Sequence, residues 1–330
     1  MTGPLVWVVG RGGFLGSRLE RLAGQEMPGA LPWQPAAARF SWDEPARLGL
    51  ELGDAARAFR EESRHRKASW MVVWSAAGGG VGTPPEGLRQ ETDTLRGLLG
   101  ALGAAPGGGP GRSPGVFLFC SSAGSVYGNA VELPLTEHSP CEPISAYGQV
   151  KLEQEAHALK WARETARVSC LVARLSNLYG PGQSLERPIG LIARLSQSLL
   201  HRRPLHVYVP LDTLRDYLHV EDAARYLLRC LDRLGRLDHP TSLVKVFAAE
   251  QSISIAGVIG IFTRVAKRTP RIVCMPHPVS RQQPSRLRFR SLAWTDCAPR
   301  LVDLAVGIRE VYQDHLALFQ RGRLPAPSGG

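Results

Sequence analysis

The segment from residue 5 to residue 19 constrains the fold of this chain more than any other. An apolar run, Leu5–Val9, leads into a turn with glycine at positions 10, 13 and 16, and a helical pattern follows. Glycines in this setting permit a tight turn and a close approach of the backbone to a pyrophosphate. The N-terminus of the helix adds amide donors and a positive dipole end. The segment predicts a dinucleotide site, and its candidate cofactor-binding residues are Gly10, Gly12, Gly13, Phe14, Leu15 and Gly16.

Short apolar runs alternate with longer helical patterns over the first half of the chain. After residues 5–9, strands are predicted at residues 30–34, 70–74, 116–120 and 169–173. Helices are predicted at residues 16–23, 48–60, 91–102 and 147–166. This alternation is typical of βαβ units around a parallel sheet. Beyond residue 179 the pattern is mixed, so the predicted fold class is α/β: a Rossmann doubly wound parallel sheet with a smaller C-terminal α/β domain.

The composition excludes several classes of protein. The 330 residues are 44% hydrophobic and 21% charged, unlike those of a disordered, collagen-like or disulfide-rich chain. No run of about eighteen apolar residues occurs, so we expect no membrane-spanning helix. The first ten residues lead directly into the glycine turn, and we expect a strand there rather than a signal peptide. The six cysteines are expected to be reduced thiols, so we expect a cytoplasmic location.

Charge and ligand patterns narrow the set of partners. The chain has 40 Lys and Arg against 29 Asp and Glu, a net charge of +11. The arginines are scattered and form no patch, so we expect no nucleic-acid partner, and an anionic small-molecule substrate fits the charge equally well. The six cysteines contain no Cys-x-x-Cys pair, and the nine histidines form no ligand motif. We therefore expect no metal.

The residues after the second predicted strand leave the choice between NAD and NADP open. An acidic residue commonly binds the ribose hydroxyls of NAD here, but this chain has Gln34 and, slightly later, Arg39. An arginine is suited to the 2′-phosphate of NADP, and a solvated arginine with no such role is an equal alternative. Asp43 is a candidate for the adenine amino group. Small residues that let a cofactor pass end the 70–74 strand, namely Ser75, Ala76 and Ala77.

Tyr147 and Lys151 are spaced to lie on one face of a predicted helix. With seven Tyr and five Lys in the chain, chance predicts about 0.1 such pairs. A neighbouring ammonium and an oxidised nicotinamide ring both favour phenolate and bring the pKa of a tyrosine down from about 10. The pair therefore predicts a general base or acid at Tyr147.

A hydroxyl-rich turn follows the strand at residues 116–120. The sequence there is Ser-Ser-Ala-Gly-Ser, at positions 121 to 125. Such hydroxyls can hold a substrate carbonyl or alcohol beside a phenol, although a serine-rich turn alone is usually only a turn. Ser122 and Ser125 are the candidates for this role.

The chain resembles the extended short-chain dehydrogenase/reductases, specifically the NAD-dependent epimerase/dehydratase family typified by UDP-sugar 4-epimerases. The resemblance rests on the glycine triplet, Tyr147 with Lys151, and three further segments: residues 121–128, 174–183 and 215–222. These motifs cover almost the whole chain in the family's order. The resemblance implies an NAD(P) cofactor, a nucleotide-diphosphate sugar substrate and a homodimer.

The resemblance also implies a division into domains. Residues 1–176 would form the NAD(P)-binding Rossmann domain, to which residues 214–245 return. Residues 177–213 and 246–320 would form the nucleotide-sugar-binding domain. Residues 321–330 are expected to be a disordered tail.

Carried over residue by residue, the resemblance implies specific roles. Tyr147 would be the catalytic base, and Lys151 would hold the nicotinamide ribose. Asn177 and Arg215 match residues that bind the substrate diphosphate. Tyr208 lies where a side chain often borders the nucleotide base. Two further arginines are weaker candidates for the diphosphate, Arg286 and Arg288.

Two departures from the family pattern bear on the reaction. Ala123 stands where the catalytic Ser or Thr is usual, so Ser122 or Ser125 must substitute, and the choice between them is open. Residues 208–213 replace the glycine-rich turn that commonly precedes the Arg-Asp motif, which leaves the identity of the substrate open.

Three functions remain. The turn at residues 123–125 lacks the acid pair of the family's dehydratases and the Glu of its decarboxylases, so reversible hydride transfer at a sugar carbon is expected. We favour a nucleotide-sugar epimerase, acting at C4, over an NADPH-dependent 4-ketoreductase, which the missing ribose-binding acid supports. A non-catalytic dinucleotide-binding sensor or scaffold is the third interpretation, because a fold does not imply a function.

Overall fold

The computed structural model describes residues 3–36, 39–76, 78–80, 82–103, 113–128, 132–184, 190–275 and 284–327. The strands are β1 (Leu5–Val9), β2 (Leu31–Trp33), β3 (Trp70–Trp74), β4 (Gly115–Ser122), β5 (Val168–Leu175), β6 (Asn177–Tyr179), β7 (Leu205–Val207), β8 (Leu214–Arg215), β9 (Tyr217–His219), β10 (Ser242–Phe247), β11 (Ile253–Ser254) and β12 (Ile272–Cys274). The helices are α1 (Gly16–Glu26), α2 (Pro45–His65), α3 (Pro85–Gly103), α4 (Ala123–Val126), α5 (Ala146–Glu164), α6 (Leu191–Leu200), α7 (Val220–Gly235), α8 (Ile255–Ala266) and α9 (Leu304–Gln320).

A parallel sheet of six strands, in the order β10-β5-β4-β3-β1-β2, forms the centre of the molecule. Its inner strands are buried on both faces, which explains their continuous apolar sequences. Alternate residues serve opposite faces: Val6 and Val8 pack with α1 and α7, whereas Leu5, Trp7 and Val9 pack with α2 and α3. The predicted doubly wound α/β fold is confirmed.

The strand order of the sheet reverses at β1: β2 is added on one side of β1, and β3, β4 and β5 are added on the other. This strand pairs with β2 on one side and with β3 on the other, both in parallel. Open α/β sheets bind ligands in the crevice outside the carboxyl ends of the strands at such a switch point. The glycine turn that follows β1 therefore begins where a ligand site is expected.

A second apolar core lies in the C-terminal half of the chain. Residues from α6, α8 and α9 pack around the short β7–β12 pair, and β11 pairs with β8. The mixed pattern beyond residue 179 thus corresponds to short strands and helices that pack beside the central sheet. β10, by contrast, returns to the edge of the central sheet beside β5.

The end of the chain differs from the expected disordered tail at 321–330. Leu324 is buried, and Nε2 of Gln197 on α6 donates a hydrogen bond of 2.8 Å to the carbonyl of Pro325. Residues 328–330 lie outside the described ranges. Among the described helices, none is both long enough and apolar enough to cross a membrane.

Candidate active site

The glycine turn after β1 is shaped by close backbone contacts. Gly10 has φ = +89°, and a Cβ there would lie 2.8 Å from the backbone nitrogen of Ala76. A Cβ on Gly16 would collide with the carbonyl of Gly10 and approach the hydroxyl of Ser75 to 2.8 Å. A Cβ on Gly12, by contrast, would meet no atom within 4 Å. The first and third glycines are thus needed by the fold, and the backbone at Gly12 is open.

A cavity of about 880 Å³ lies at the carboxyl ends of β1 and β3. It includes seven of the residues predicted to bind the cofactor: Gly10, Gly12, Gly13, Arg39, Asp43, Ser75 and Ala76. The lining does not include five others, namely Phe14, Leu15, Gly16, Tyr147 and Lys151; Leu15 and Gly16 are buried where α1 packs against the sheet. Ala77 lies outside the described residues.

The far wall of the cavity contains an acidic residue that sequence reasoning missed. Glu20 comes from α1 and accepts a hydrogen bond of 2.8 Å from Nε2 of Gln34, the residue after β2. Arg11, in the glycine turn, lies 3.4 Å from the same carboxylate. Glu20 lies four residues after Gly16 and therefore on the same face of α1. This spacing could have indicated that Glu20 lies near the glycine turn.

Gly148 allows the start of α5 to lie close to the turn after β4. A Cβ on Gly148 would collide with the carbonyl of Ser125 and would lie 2.8 Å from Cβ of Pro143. The hydroxyl of Ser145 caps the helix by accepting a hydrogen bond of 3.1 Å from the Gly148 amide. These contacts fix the backbone on both sides of Tyr147.

Lys151 lies one turn along α5 from Tyr147, with its Nζ 5.6 Å from the centroid of the phenol ring. Its side chain is 1% exposed. Nζ donates to Oε1 of Glu91 on α3 and to Oε1 of Gln154, each at 2.9 Å. Glu91 lines the cavity, so the ammonium is connected to the cavity wall through this carboxylate.

The electrostatic setting of Tyr147 favours its protonated form. Burial of the phenol raises the pKa of Tyr147, and the negative charge of Glu91 raises this pKa further. Lys151 is the nearby cation that acts in the opposite direction on a phenolate. Without a bound ligand, Tyr147 is therefore a proton donor near neutral pH.

The serines of the turn fall into two groups. The hydroxyl of Ser122 donates to that of Ser125 at 3.1 Å, and both side chains are half-buried. The hydroxyl of Ser121 instead donates to Glu155 at 2.5 Å, inside a buried pair of Glu155 with Arg174. Ala123 is completely buried in a small apolar cluster. Ser122 and Ser125 thus lie together as the two candidate hydroxyls, and their role stays a prediction.

Asn177 and Arg215 are brought together by the residue between β8 and β9. The carbonyl of Asp216 accepts a hydrogen bond of 2.9 Å from Nδ2 of Asn177. The Asp216 carboxylate is itself buried and accepts from the backbone amides of Ala249 and Gln251. Arg215 donates to the carbonyl of Leu214 at 2.9 Å, and burial lowers the pKa of its guanidinium.

The other predicted substrate residues come from separate segments. Tyr208 is half-buried after β7. Arg286 and Arg288 are exposed on an extended segment whose alternate residues, Leu287 and Phe289, are buried. The lining of the cavity described above includes none of the predicted substrate residues: Asn177, Tyr208, Arg215, Arg286 and Arg288. Their roles stay predictions.

The glycine turn allows a prediction with a matched control. Gly10→Ala places a Cβ against the backbone of Ala76 at a positive φ, so we expect a loss of about 1–3 kcal/mol in the free energy of unfolding and weaker dinucleotide binding. Gly12→Ala adds the same methyl group in open space. Chemical denaturation and cofactor titration measure both effects, and equal stability of the two variants would contradict the packing described here.

Comparison with known proteins gives a consistent assignment. The model of the NAD dependent epimerase/dehydratase family matches residues 6–244, more than half of the chain. A UDP-glucose 4-epimerase of Mycolicibacterium smegmatis is 30% identical over 155 residues, which is 46% of this chain and 49% of that protein. The chain thus spans about half the length of this relative.

Solved structures agree over nearly the whole fold. MoeE5 in complex with UDP-glucuronic acid and NAD superimposes with a TM-score of 0.74 at 22% identity, covering 97% of this chain and 100% of that one. RMD from Pseudomonas aeruginosa, complexed with NADPH, has a TM-score of 0.70 at 25% identity and covers 95% and 97%. With the family model, the sheet order and the glycine turn in agreement, the chain belongs to the NAD-dependent epimerase/dehydratase family.

Proposed function

We propose that the protein is a nucleotide-sugar epimerase that transfers a hydride reversibly at a sugar carbon, C4, through a keto intermediate. The observation that carries the proposal is the placement of Tyr147 and Lys151 on one face of α5, with Glu91 connecting the ammonium to the cavity wall. Membership of the family supports a nicotinamide dinucleotide and a nucleotide-diphosphate sugar as ligands.

The cavity residues fit a dinucleotide. The open backbone at Gly12 and the start of α1 offer a place for a pyrophosphate, because helix N-terminal amides favour anions. Asp43 can accept a hydrogen bond from an adenine amino group. Lys151 has three N–H donors, and two of them are taken by Glu91 and Gln154, which leaves one for a ribose hydroxyl. A nicotinamide dinucleotide bound by these residues would supply the acceptor, and then the donor, of the hydride.

Tyr147 supplies the proton transfer of the proposed cycle. Its phenolate takes the proton of the C4 hydroxyl as the C4–H bond breaks, and its phenol returns a proton to the oxygen when the C4–H bond forms again. Ser122 or Ser125 donates a hydrogen bond to the same oxygen and holds it beside the phenol. Asn177 and Arg215 hold the diphosphate, so that the sugar can turn over while it stays attached.

An NADPH-dependent 4-ketoreductase is the second candidate, and one region of the cavity favours it. Gln34, which is neutral, follows β2, and Arg39 lines the cavity nearby. An arginine there suits a 2′-phosphate. Glu20 argues against a preference for NADPH, because a carboxylate at this place would repel a 2′-phosphate. Its carboxylate contacts Gln34 and lies 3.4 Å from Arg11. In a reductase, Tyr147 would act only as the proton donor.

The identity of the cofactor separates the two candidates. We would release any cofactor of the purified protein by denaturation, identify it, and titrate the emptied protein with NAD and NADP. We expect NAD that is recovered only after denaturation, together with conversion of a UDP-sugar to its C4 epimer without added cofactor. An empty protein that prefers NADPH and consumes it with a 4-keto sugar would replace the epimerase with the reductase.

The family resemblance also bears on the division into domains, the oligomeric state and the location. We propose that residues 1–176 with 214–245 hold the cofactor, and that residues 177–213 and 246–320 hold the nucleotide sugar. A homodimer and a cytoplasmic location are proposed from the family resemblance and the composition. Sedimentation of the purified protein tests the dimer.

A further inference from the structure

Glu91 is a charged cavity residue to which the proposed cycle assigns no step of its own. It lies on α3, sixty residues from Lys151 in sequence, and its carboxylate meets the ammonium at 2.9 Å. The Glu91 side chain is 11% exposed and that of Lys151 is 1% exposed. The ion pair is therefore screened by little water, and the charge of each partner is felt strongly by nearby groups.

The surroundings hold Glu91 in this position. A Cβ on Gly79, in the segment after β3, would lie 2.9 Å from the second carboxylate oxygen of Glu91. On the other side of the ammonium, Gln154 accepts from Lys151 and donates to the hydroxyl of Thr92 at 3.1 Å. Thr92 follows Glu91 on α3, so the two helices are joined by a continuous polar chain around Lys151.

The ion pair between Glu91 and Lys151 weakens the effect of the Lys151 ammonium on the pKa of Tyr147. A lone ammonium near the phenol ring favours phenolate. A carboxylate 2.9 Å from that ammonium opposes this effect, because its negative charge disfavours a second negative charge nearby. In agreement with this, the negative charge of Glu91 raises the pKa of Tyr147 beyond the effect of burial.

Other ionisable groups on the elements packed against α5 have partners of their own or are neutral. On β5, Arg174 is neutralised by Glu155 of α5 itself. On β10, Nζ of Lys245 donates to the hydroxyl of Ser291 at 2.6 Å. On β4, burial raises the pKa of the Cys120 thiol to about 12, so this group is neutral near pH 7. Besides burial, Glu91 is the charge that raises the pKa of Tyr147, and Lys151 is the cation that lies between the two groups.

We propose that Glu91 is a positioning residue that holds the Lys151 ammonium and sets the proton affinity of Tyr147. The role of this affinity in catalysis rests on the proposed function. The negative charge of Glu91 adds to the effect of burial on the pKa of Tyr147, and it would oppose the positively charged ring of a bound cofactor, which favours phenolate. The carboxylate thereby links proton loss at Tyr147 to occupation of the cavity that Glu91 lines.

The test is a pH titration of Tyr147 in the NAD-loaded protein. The ultraviolet absorbance of tyrosinate is recorded for each protein with and without the added change Tyr147→Phe, and the difference isolates this residue. Glu91→Gln keeps an oxygen acceptor for Lys151 and removes the negative charge. We expect the pKa of Tyr147 to fall by about one unit. An unchanged pKa in a folded Glu91→Gln protein would overturn the proposal.

Two further variants complete the design. Asp93→Asn removes a carboxylate from the exposed face of the same helix, where Asp93 is 74% exposed, and should leave the titration unchanged. Glu91→Asp keeps the charge but withdraws it by one methylene, so a smaller fall in the pKa of Tyr147 is expected. If Glu91→Gln does not fold, Glu91→Asp decides the matter, and a pKa equal to that of the parent contradicts the proposal.

The titration needs no sugar substrate, so it is independent of the proposed function. A Glu91-dependent pKa in a protein that converts no nucleotide sugar would leave the inference standing and remove the epimerase. If the protein converts a nucleotide sugar but the pKa of Tyr147 is the same in the Glu91 variants, the epimerase stands and the inference about Glu91 falls.

Discussion

Replacing Tyr147 with Phe is expected to lower turnover of a nucleotide sugar by about 10²–10⁴-fold, the usual contribution of a general acid or base. The variant removes one oxygen and keeps the ring that faces Lys151 at 5.6 Å. Cofactor affinity and the midpoint of thermal unfolding should therefore change little. The measurement is steady-state turnover alongside cofactor titration.

Tyr312→Phe is the matched control for this loss. Tyr312 is half-buried on α9, where it packs against the apolar core of the C-terminal half, away from the glycine turn. Its variant should retain the turnover of the parent. A Tyr147→Phe protein with full turnover would exclude Tyr147 as the general base and acid of the proposed cycle, whereas a parent protein that turns over no nucleotide sugar would favour the non-catalytic interpretation.

The sequence was sufficient for most of the fold because its strands are strongly apolar and its helices are periodic. β1, β3, β4 and β5 occur where apolar runs predicted them, since burial on both faces of a parallel sheet selects such runs. The ends of the helices were harder to predict from the sequence. α2 was predicted to begin at residue 48 but begins at Pro45, because proline is well tolerated in the first turn of a helix.

The candidate site was predictable only where its residues are close in sequence. Tyr147 and Lys151 belong to one helix, so their spacing alone placed them on one face. Glu91 was not found, because its contact with Lys151 depends on how α3 packs against α5. Glu20 was missed because an acid was sought after β2, whereas α1 supplies it to the same wall of the cavity.

The structure also separated two serines that the sequence presents as neighbours. Strand residues alternate between faces, and Ser121 and Ser122 therefore point to different surroundings. Ser121 joins the buried pair of Glu155 and Arg174, whereas Ser122 contacts Ser125. The turn next to Tyr147 thus depends on a buried ion pair that holds the end of β4 against α5 and β5.

Breaking this ion pair should be the most destabilising of the changes considered. The Glu155 and Arg174 side chains are 4% and 8% exposed, and the carboxylate accepts from both Nε and a terminal nitrogen of the guanidinium. Glu155→Leu leaves a buried arginine without its carboxylate, which costs about 3–5 kcal/mol of the free energy of unfolding. It also removes the acceptor of the Ser121 hydroxyl. Chemical denaturation measures the loss.

Glu153→Leu, two residues earlier on the same helix, is the matched control. The Glu153 carboxylate is 57% exposed, and it faces only His157 at 3.3 Å among the ion pairs of the described residues. Exposed pairs of this kind contribute little, so its free energy of unfolding should stay within about 0.5 kcal/mol of the parent. Equal losses in the two variants would contradict the role of the pair. A large loss at Glu155 alone would show that the buried pair, which joins the end of β4 to α5 and β5 through Ser121, stabilises the fold.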